Sequence, residues 1–104
     1  MPQFLVFATD HPPHSMPLRD SVRAEHRAYV LENDDRIMLA GLIADDDGNQ
    51  CGSVYSFSAA NIDEVKAWLA AEPFVKAGVY ADIQVVRWSP KLNRLNPVEW
   101  AVSK

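Results

Sequence analysis

Four short runs of branched and aromatic residues alternate with two helical patterns in the order β-α-β-β-α-β, and this order narrows the fold more than any other feature. FLVFA (4–8), ended by Asp10 and Pro12, reads as a first strand buried on both faces. TDHPPHSMP (9–17) is a loop, because adjacent prolines remove donors and disfavour helix before them. Ser15 is a candidate cap and Pro17 an early helical residue; Leu18, Val22, Tyr29 and Val30 then recur at helical spacing until ENDD closes the helix. RIMLAGLI (36–43) is a second strand. ADDDGNQCG (44–52) is a turn-rich loop with an Asp-Gly hairpin signal, and SVYSFSA (53–59) is a third strand. Asn61 caps a second helix whose buried stripe is Ile62, Val65, Trp68 and Leu69, with Glu64 close to a capping box. AEPFVKAG (71–78) breaks that helix at Pro73 and adds one short turn stopped by Gly78, before a fourth strand, VYADIQVVRW (79–88).

Right-handed crossovers and strand-pairing rules lead from this order to an α+β, ferredoxin-like sandwich, with two helices on one face of an antiparallel four-stranded sheet. In the first two strands both parities are apolar: Phe4, Val6 and Ala8 against Leu5 and Phe7, Ile37 and Leu39 against Met38 and Ala40. Two helices cover one face only, and a face left to water should be polar. The expectation is a homodimer whose sheets pack face to face, as in a dimeric α+β barrel. At 104 residues the chain is one domain's worth, taken as residues 1–90. The tail 91–104, anchored by Leu92, Leu95, Val98 and Trp100, is expected to pack on the domain or the partner. A net charge of −4 with scattered basic residues argues against nucleic acid. One cysteine rules out an intrachain disulfide framework and fits a reducing compartment. No run approaches the roughly 20 apolar residues of a membrane span, and the N-terminus lacks a signal-peptide pattern. The expected setting is cytoplasmic, with no membrane partner.

The first helix carries His26 within VRAEHRAYV (22–30). On a helical wheel the ring stands about 40° from Val22, at the margin of the buried stripe. Arg19, Arg23 and His26 fall along one line. Two guanidinium groups above the ring would favour neutral imidazole, which accepts a proton near neutral pH, and would attract a carboxylate or phenolate. The plainer alternative is a boundary histidine with one backbone partner, beside arginines that face solvent.

RAEHRAYV on the first helix, MLAG ending the second strand, GSVYSF in the third and EPFVKAGVY after the second helix share an order and spacing. In these segments, over about residues 3 to 90, the chain resembles the YCII (YciI-like) family. That resemblance implies a dimer with a pocket near the first helix and a catalytic pair of one histidine and one acid. His26 matches the histidine. Where family members commonly have Asp-Pro this chain has Glu72 before Pro73, which keeps the charge and reaches about one carbon further. Ser53 matches the serine of the Gly-Ser segment and could donate into the pocket, while Phe74 and Tyr80 would line or close it. Arg19 or Arg23 would hold the substrate.

The reading is a cofactor-independent enzyme of isomerase, lyase or dehydrochlorinase type, with His26 taking or giving a proton, Glu72 orienting it and a small acidic or phenolic molecule as ligand. A non-catalytic binding or interaction module using the same pocket is the alternative. A haem- or flavin-linked monooxygenase has only fold analogy behind it. DHPPH (10–14) has Asp10, His11 and His14 on a proline loop with no converging ligands, so no metal is expected. DDD (45–47) lacks the spacing and closing glutamate of a calcium loop. Cys51 has no second cysteine in a redox motif.

Overall fold

The structure is a computed structural model, and it describes residues 1–32 and 35–92. Elements follow in the order β1 (Gln3–Asp10), α1 (Met16–Glu32), β2 (Ile37–Ala44), β3 (Gln50–Ser58), α2 (Ile62–Ala71), α3 (Pro73–Lys76) and β4 (Tyr80–Trp88). The four strands form one sheet in the order β2-β3-β1-β4, with every neighbouring pair antiparallel. Only a helical crossover can return the chain parallel to a strand it has left, and α1 and α2 supply the two crossovers. This is the expected β-α-β-β-α-β sandwich. The expected packing of the tail falls largely on residues 93–104, outside the described residues, as does part of the ENDD segment expected to close the first helix. Among the described residues no helix is long and apolar enough to cross a membrane.

Period-2 alternation sends Phe4, Val6 and Ala8 of β1 to the helix side, where Phe4 and Val6 join Tyr55 and Phe57 of β3. Val65, Trp68 and Leu69 of α2 pack onto them, and burying side chains of this size is worth about 1.5–3 kcal/mol each. The α2 start is as read: Asn61 Oδ1 accepts from the Glu64 N–H at 3.1 Å, and Glu64 Oε1 reaches back to the Ala60 N–H. A second cluster of Ala8, Phe74, Val79 and Tyr80, with Val22 packed against it, lies at the other end of the sheet. The candidate site is built there.

Four local expectations need correction. The first strand is not buried on both faces within one chain, since Phe7 is 41% exposed and Leu5 only half-buried. Nor does α1 bury Leu18; its one fully buried residue is Arg19, because a charged partner waits inside. Ser15 stands at the cap position, its carbonyl accepting the Arg19 N–H, but its hydroxyl donates to the Val79 carbonyl instead of capping. Finally, β3 starts at Gln50, so Cys51 and Gly52 belong to a strand instead of the hairpin loop.

Candidate active site

Glu72 is fixed by two helices at once. It ends α2, with its N–H bonded to the Leu69 carbonyl, and it is the N-cap of α3, with Pro73 as the first helical residue. Its side-chain Oε1 accepts from the Phe74 N–H at 3.0 Å. Shorter side chains usually do this work, and proline at the following position loses nothing because its missing N–H would be unpaired anyway. The four-residue α3 is capped at its C-terminus by Ala77 and followed by Gly78, whose φ of +80° suits a residue without a Cβ.

His26, on α1, brings Nδ1 to 2.5 Å from that same Glu72 Oε1. With the ring N–H donating, this is a short charge-assisted contact. The imidazole lies flat on the Phe74 ring, with centroids 3.8 Å apart and planes within 7°. Glu72 is completely buried, whereas the His26 side chain keeps 13% exposure. A shallow groove along the seam of α1 and α3 is lined by Val22, Glu25, Pro73, Lys76 and Ala77, of which Val22 and Ala77 pack against the cluster that holds Phe74.

Arg19 enters from the same helix three positions in from its start and is also fully buried. Its Nε and Nη2 each donate to one oxygen of Asp10 at 2.7 Å, a bidentate pair. Asp10 Oδ2 additionally accepts from the Ser15 N–H. The guanidinium carbon stands 5.0 Å from the Phe74 centroid and 5.6 Å from that of Tyr80. Burial works against the Arg19 charge, but the hydrogen bond and charge of Asp10, with the Tyr80 and Tyr55 fields, hold its pKa above the ordinary value. Arg19 Nη2 also reaches Ser53 Oγ at 3.4 Å, where the Tyr80 hydroxyl donates at 2.8 Å. Burial, reinforced by the Glu72 charge, pushes the Tyr80 phenol up to about 12, and burial with the Tyr80 field raises that of Tyr55 well beyond its usual range. Both phenols are therefore neutral hydrogen-bonding groups near neutral pH.

Two buried side-chain atoms of this cluster have no hydrogen-bond partner among the described residues: Arg19 Nη1, a donor, and Glu72 Oε2, an acceptor. Leaving such a group unmatched costs about 1–3 kcal/mol or more when it is charged. A ligand supplying both partners would recover that cost.

The family model for a YCII-related domain matches residues 3–89. The chain belongs to the YCII family. An uncharacterized protein from Haemophilus influenzae is 34% identical over 90 residues, covering 79% of the YCII chain and 91% of the relative. The protein YciI of Escherichia coli is 30% identical over the same shares. Among solved structures, the 5-chloro-2-hydroxyhydroquinone dehydrochlorinase TftG of Burkholderia phenoliruptrix, in complex with 2,5-dihydroxybenzoquinone, superposes with a TM-score of 0.76 at 32% identity, covering 84% of the YCII chain and 93% of TftG. SnoaB, a cofactor-independent oxygenase from Streptomyces nogalater, reaches a TM-score of 0.52 at 14% identity over 90% of the YCII chain and 96% of its own, which shows a shared α+β fold and nothing finer.

In this YCII chain, His26, Glu72, Phe74, Arg19, Ser53 and Tyr80 do converge on one end of the sheet. Arg23 does not. Its guanidinium bonds Gln50 Oε1 at 2.9 Å and Asp20 Oδ1 at 2.8 Å, so the expected pair of cations over the ring is replaced by one inward, neutralised arginine and one outward arginine. In the sequence Asp10 reads only as a strand breaker and a possible metal ligand, yet it anchors the interior. Its parity with Phe4, Val6 and Ala8 was a usable signal, since period 2 points all four the same way. His14 Nδ1 accepts from the Met16 N–H, and among the described residues no three His, Cys, Asp or Glu side chains converge as metal ligands.

Proposed function

We propose that this YCII protein is a cofactor-independent enzyme that uses the His26–Glu72 pair for proton transfer on a small acidic or phenolic molecule, in a reaction of lyase, isomerase or dehydrochlorinase type. One observation carries the reading: the imidazole and the carboxylate, 46 positions apart in the chain, meet at 2.5 Å against the Phe74 ring. A positioned acid–base pair contributes about 10²–10⁴-fold to a proton-transfer step. The aromatic walls and the Arg19 donor suit a flat, oxygen-bearing ligand. The likeness to TftG supports the same ligand chemistry. The working form is a homodimer joined through the open sheet face, where Leu5, Leu39, Val54 and Val86 are incompletely covered. The single cysteine fits a reducing, cytoplasmic setting.

Thermal unfolding with 2,5-dihydroxybenzoquinone tests binding, and chloride release from 5-chloro-2-hydroxyhydroquinone tests turnover. The expected results are a raised Tm in the presence of the quinone and measurable turnover. His26→Gln should lower turnover about 10²-fold while leaving the quinone affinity nearly unchanged. Binding without turnover in the wild type would favour a non-catalytic binding module. Absence of any binding would remove the phenolic reading.

A further inference from the structure

We propose that Glu72 Oε2, not the His26 ring, is the atom that exchanges the proton with the ligand, that Arg19 Nη1 donates to the ionised ligand, and that His26 is a positioning residue. This rests on the proton-transfer reading above and assigns the roles within the pair.

The two oxygens of the Glu72 carboxylate are in different states. Oε1 receives two donors, His26 Nδ1 and the Phe74 N–H, and both hold the group in place. Oε2 is buried and receives none among the described residues. A carboxylate oxygen can accept two hydrogen bonds, so an oxygen with neither filled, away from water, is the stronger attractor for an incoming O–H. The ring, by contrast, commits Nδ1 to Oε1 and one face to Phe74. It aims the carboxylate.

Arg19 supplies the second observation. Nε and Nη2 are spent on Asp10, yet Nη1 is buried with no acceptor among the described residues. The guanidinium and the imidazole both pack on Phe74, which places the free donor and the free acceptor around one aromatic side chain. Asp10 already neutralises the Arg19 charge, so the free N–H offers a directed hydrogen bond to a ligand oxygen instead of a bare anion site. The ligand class is accordingly a small phenol or enol with a second oxygen. Its hydroxyl proton passes to Oε2, the electron pair of the broken O–H bond stays on the ligand oxygen and spreads through the conjugated system, and Arg19 Nη1 meets that charge.

The probe is 4-nitrophenol, whose ionised form absorbs visible light. Bound to the wild-type protein, its ionised band should appear at lower pH than for the free phenol. Glu72→Gln keeps an oxygen to cap α3 and should bind the phenol with that displacement lost. His26→Gln should retain the displaced pH profile even as turnover falls, because equilibrium proton exchange tolerates a misplacement that the transition state does not. An independent measurement needs no variant: difference infrared spectra of wild-type protein carrying isotope-labelled glutamate should gain a protonated-carboxyl stretch when the phenol binds. Retention of the displaced band in Glu72→Gln, its loss in His26→Gln, or no protonated-carboxyl signal in the wild type would each overturn the assignment while leaving the proton-transfer reading intact. If the wild type binds neither this phenol nor the quinone, the proton-transfer reading fails and the assignment falls with it.

Discussion

Arg19 and Asp10 are charged side chains with no exposure at all, joined by two hydrogen bonds of 2.7 Å. Desolvating two ions is costly, and their attraction offsets that cost only because the geometry is bidentate and Ser15 and Ser53 satisfy further lone pairs and protons. Removing one partner leaves the other buried and unpaired. Arg19→Met should therefore lower unfolding stability by about 3–5 kcal/mol. The double variant Asp10→Leu/Arg19→Met should lose clearly less than the sum of the single losses. Urea unfolding of the four proteins measures this, and strictly additive losses would mean that the pair does not couple. The same residues explain why the site was only partly legible. His26, Glu72, Phe74, Ser53 and Tyr80 could be named because a family resemblance aligned them. Arginine, however, is taken as a surface or ligand-facing residue on general grounds. Hydrophobic periodicity does not register a buried ion pair whose members come from different elements, so the sequence points Arg19 to a ligand and Asp10 to no partner within the chain.

At the scale of elements, β1 and α2 are legible because one is a short run of branched and aromatic residues stopped by Asp10 and Pro12, and the other keeps period 3.6 with a recognisable cap. The β2–β3 hairpin was shifted: Gln50, Cys51 and Gly52 looked like loop, since Gly and Asn depress strand propensity. Gly52 is in the strand for a packing reason. A Cβ there would stand 2.7 Å from the Ala8 carbonyl oxygen and 2.9 Å from Ile43 Cδ1, so β1 and β2 close around it and align Ser53 beneath Arg19. Gly52→Ala should force the strands apart and cost about 1–3 kcal/mol, read as a lowered urea midpoint. A variant as stable as the parent would show that the sheet yields more freely than its register implies. The short α3 is the element that turns a capping side chain into a site residue, because the same Glu72 oxygen serves the Phe74 N–H and His26.

Across the whole molecule, the helix side of the sheet is covered along β1 and β3 and the opposite side is not. Phe7, Leu39 and Val86 are each more than two-fifths exposed on that open side, joined by Leu5 and Val54. Sedimentation at micromolar concentration should give a dimer, and Val86→Asp should shift it to monomer; a monomeric wild type would contradict face-to-face pairing. All three tyrosines have phenol pKa values raised first of all by burial, with Tyr80 at about 12. An unfolded phenol ionises near 10, so above that pH the unfolded chain releases protons that the native chain keeps. The contribution is fully present below about pH 10 and is lost as pH rises, at about 1.4 kcal/mol per pH unit for each retained proton. Ultraviolet titration should show the Tyr55 and Tyr80 phenolates emerging together with unfolding; either of these two ionising near 10 in the folded state would contradict this. The meeting of His26 with Glu72 is tested most directly by the nitrogen NMR spectrum of the histidine rings. In the wild type, His26 Nδ1 should be protonated and hydrogen-bonded, with its resonance displaced by Glu72→Gln and again when 4-nitrophenol binds. A His26 signal that responds to neither would contradict the pairing and the chemistry built on it.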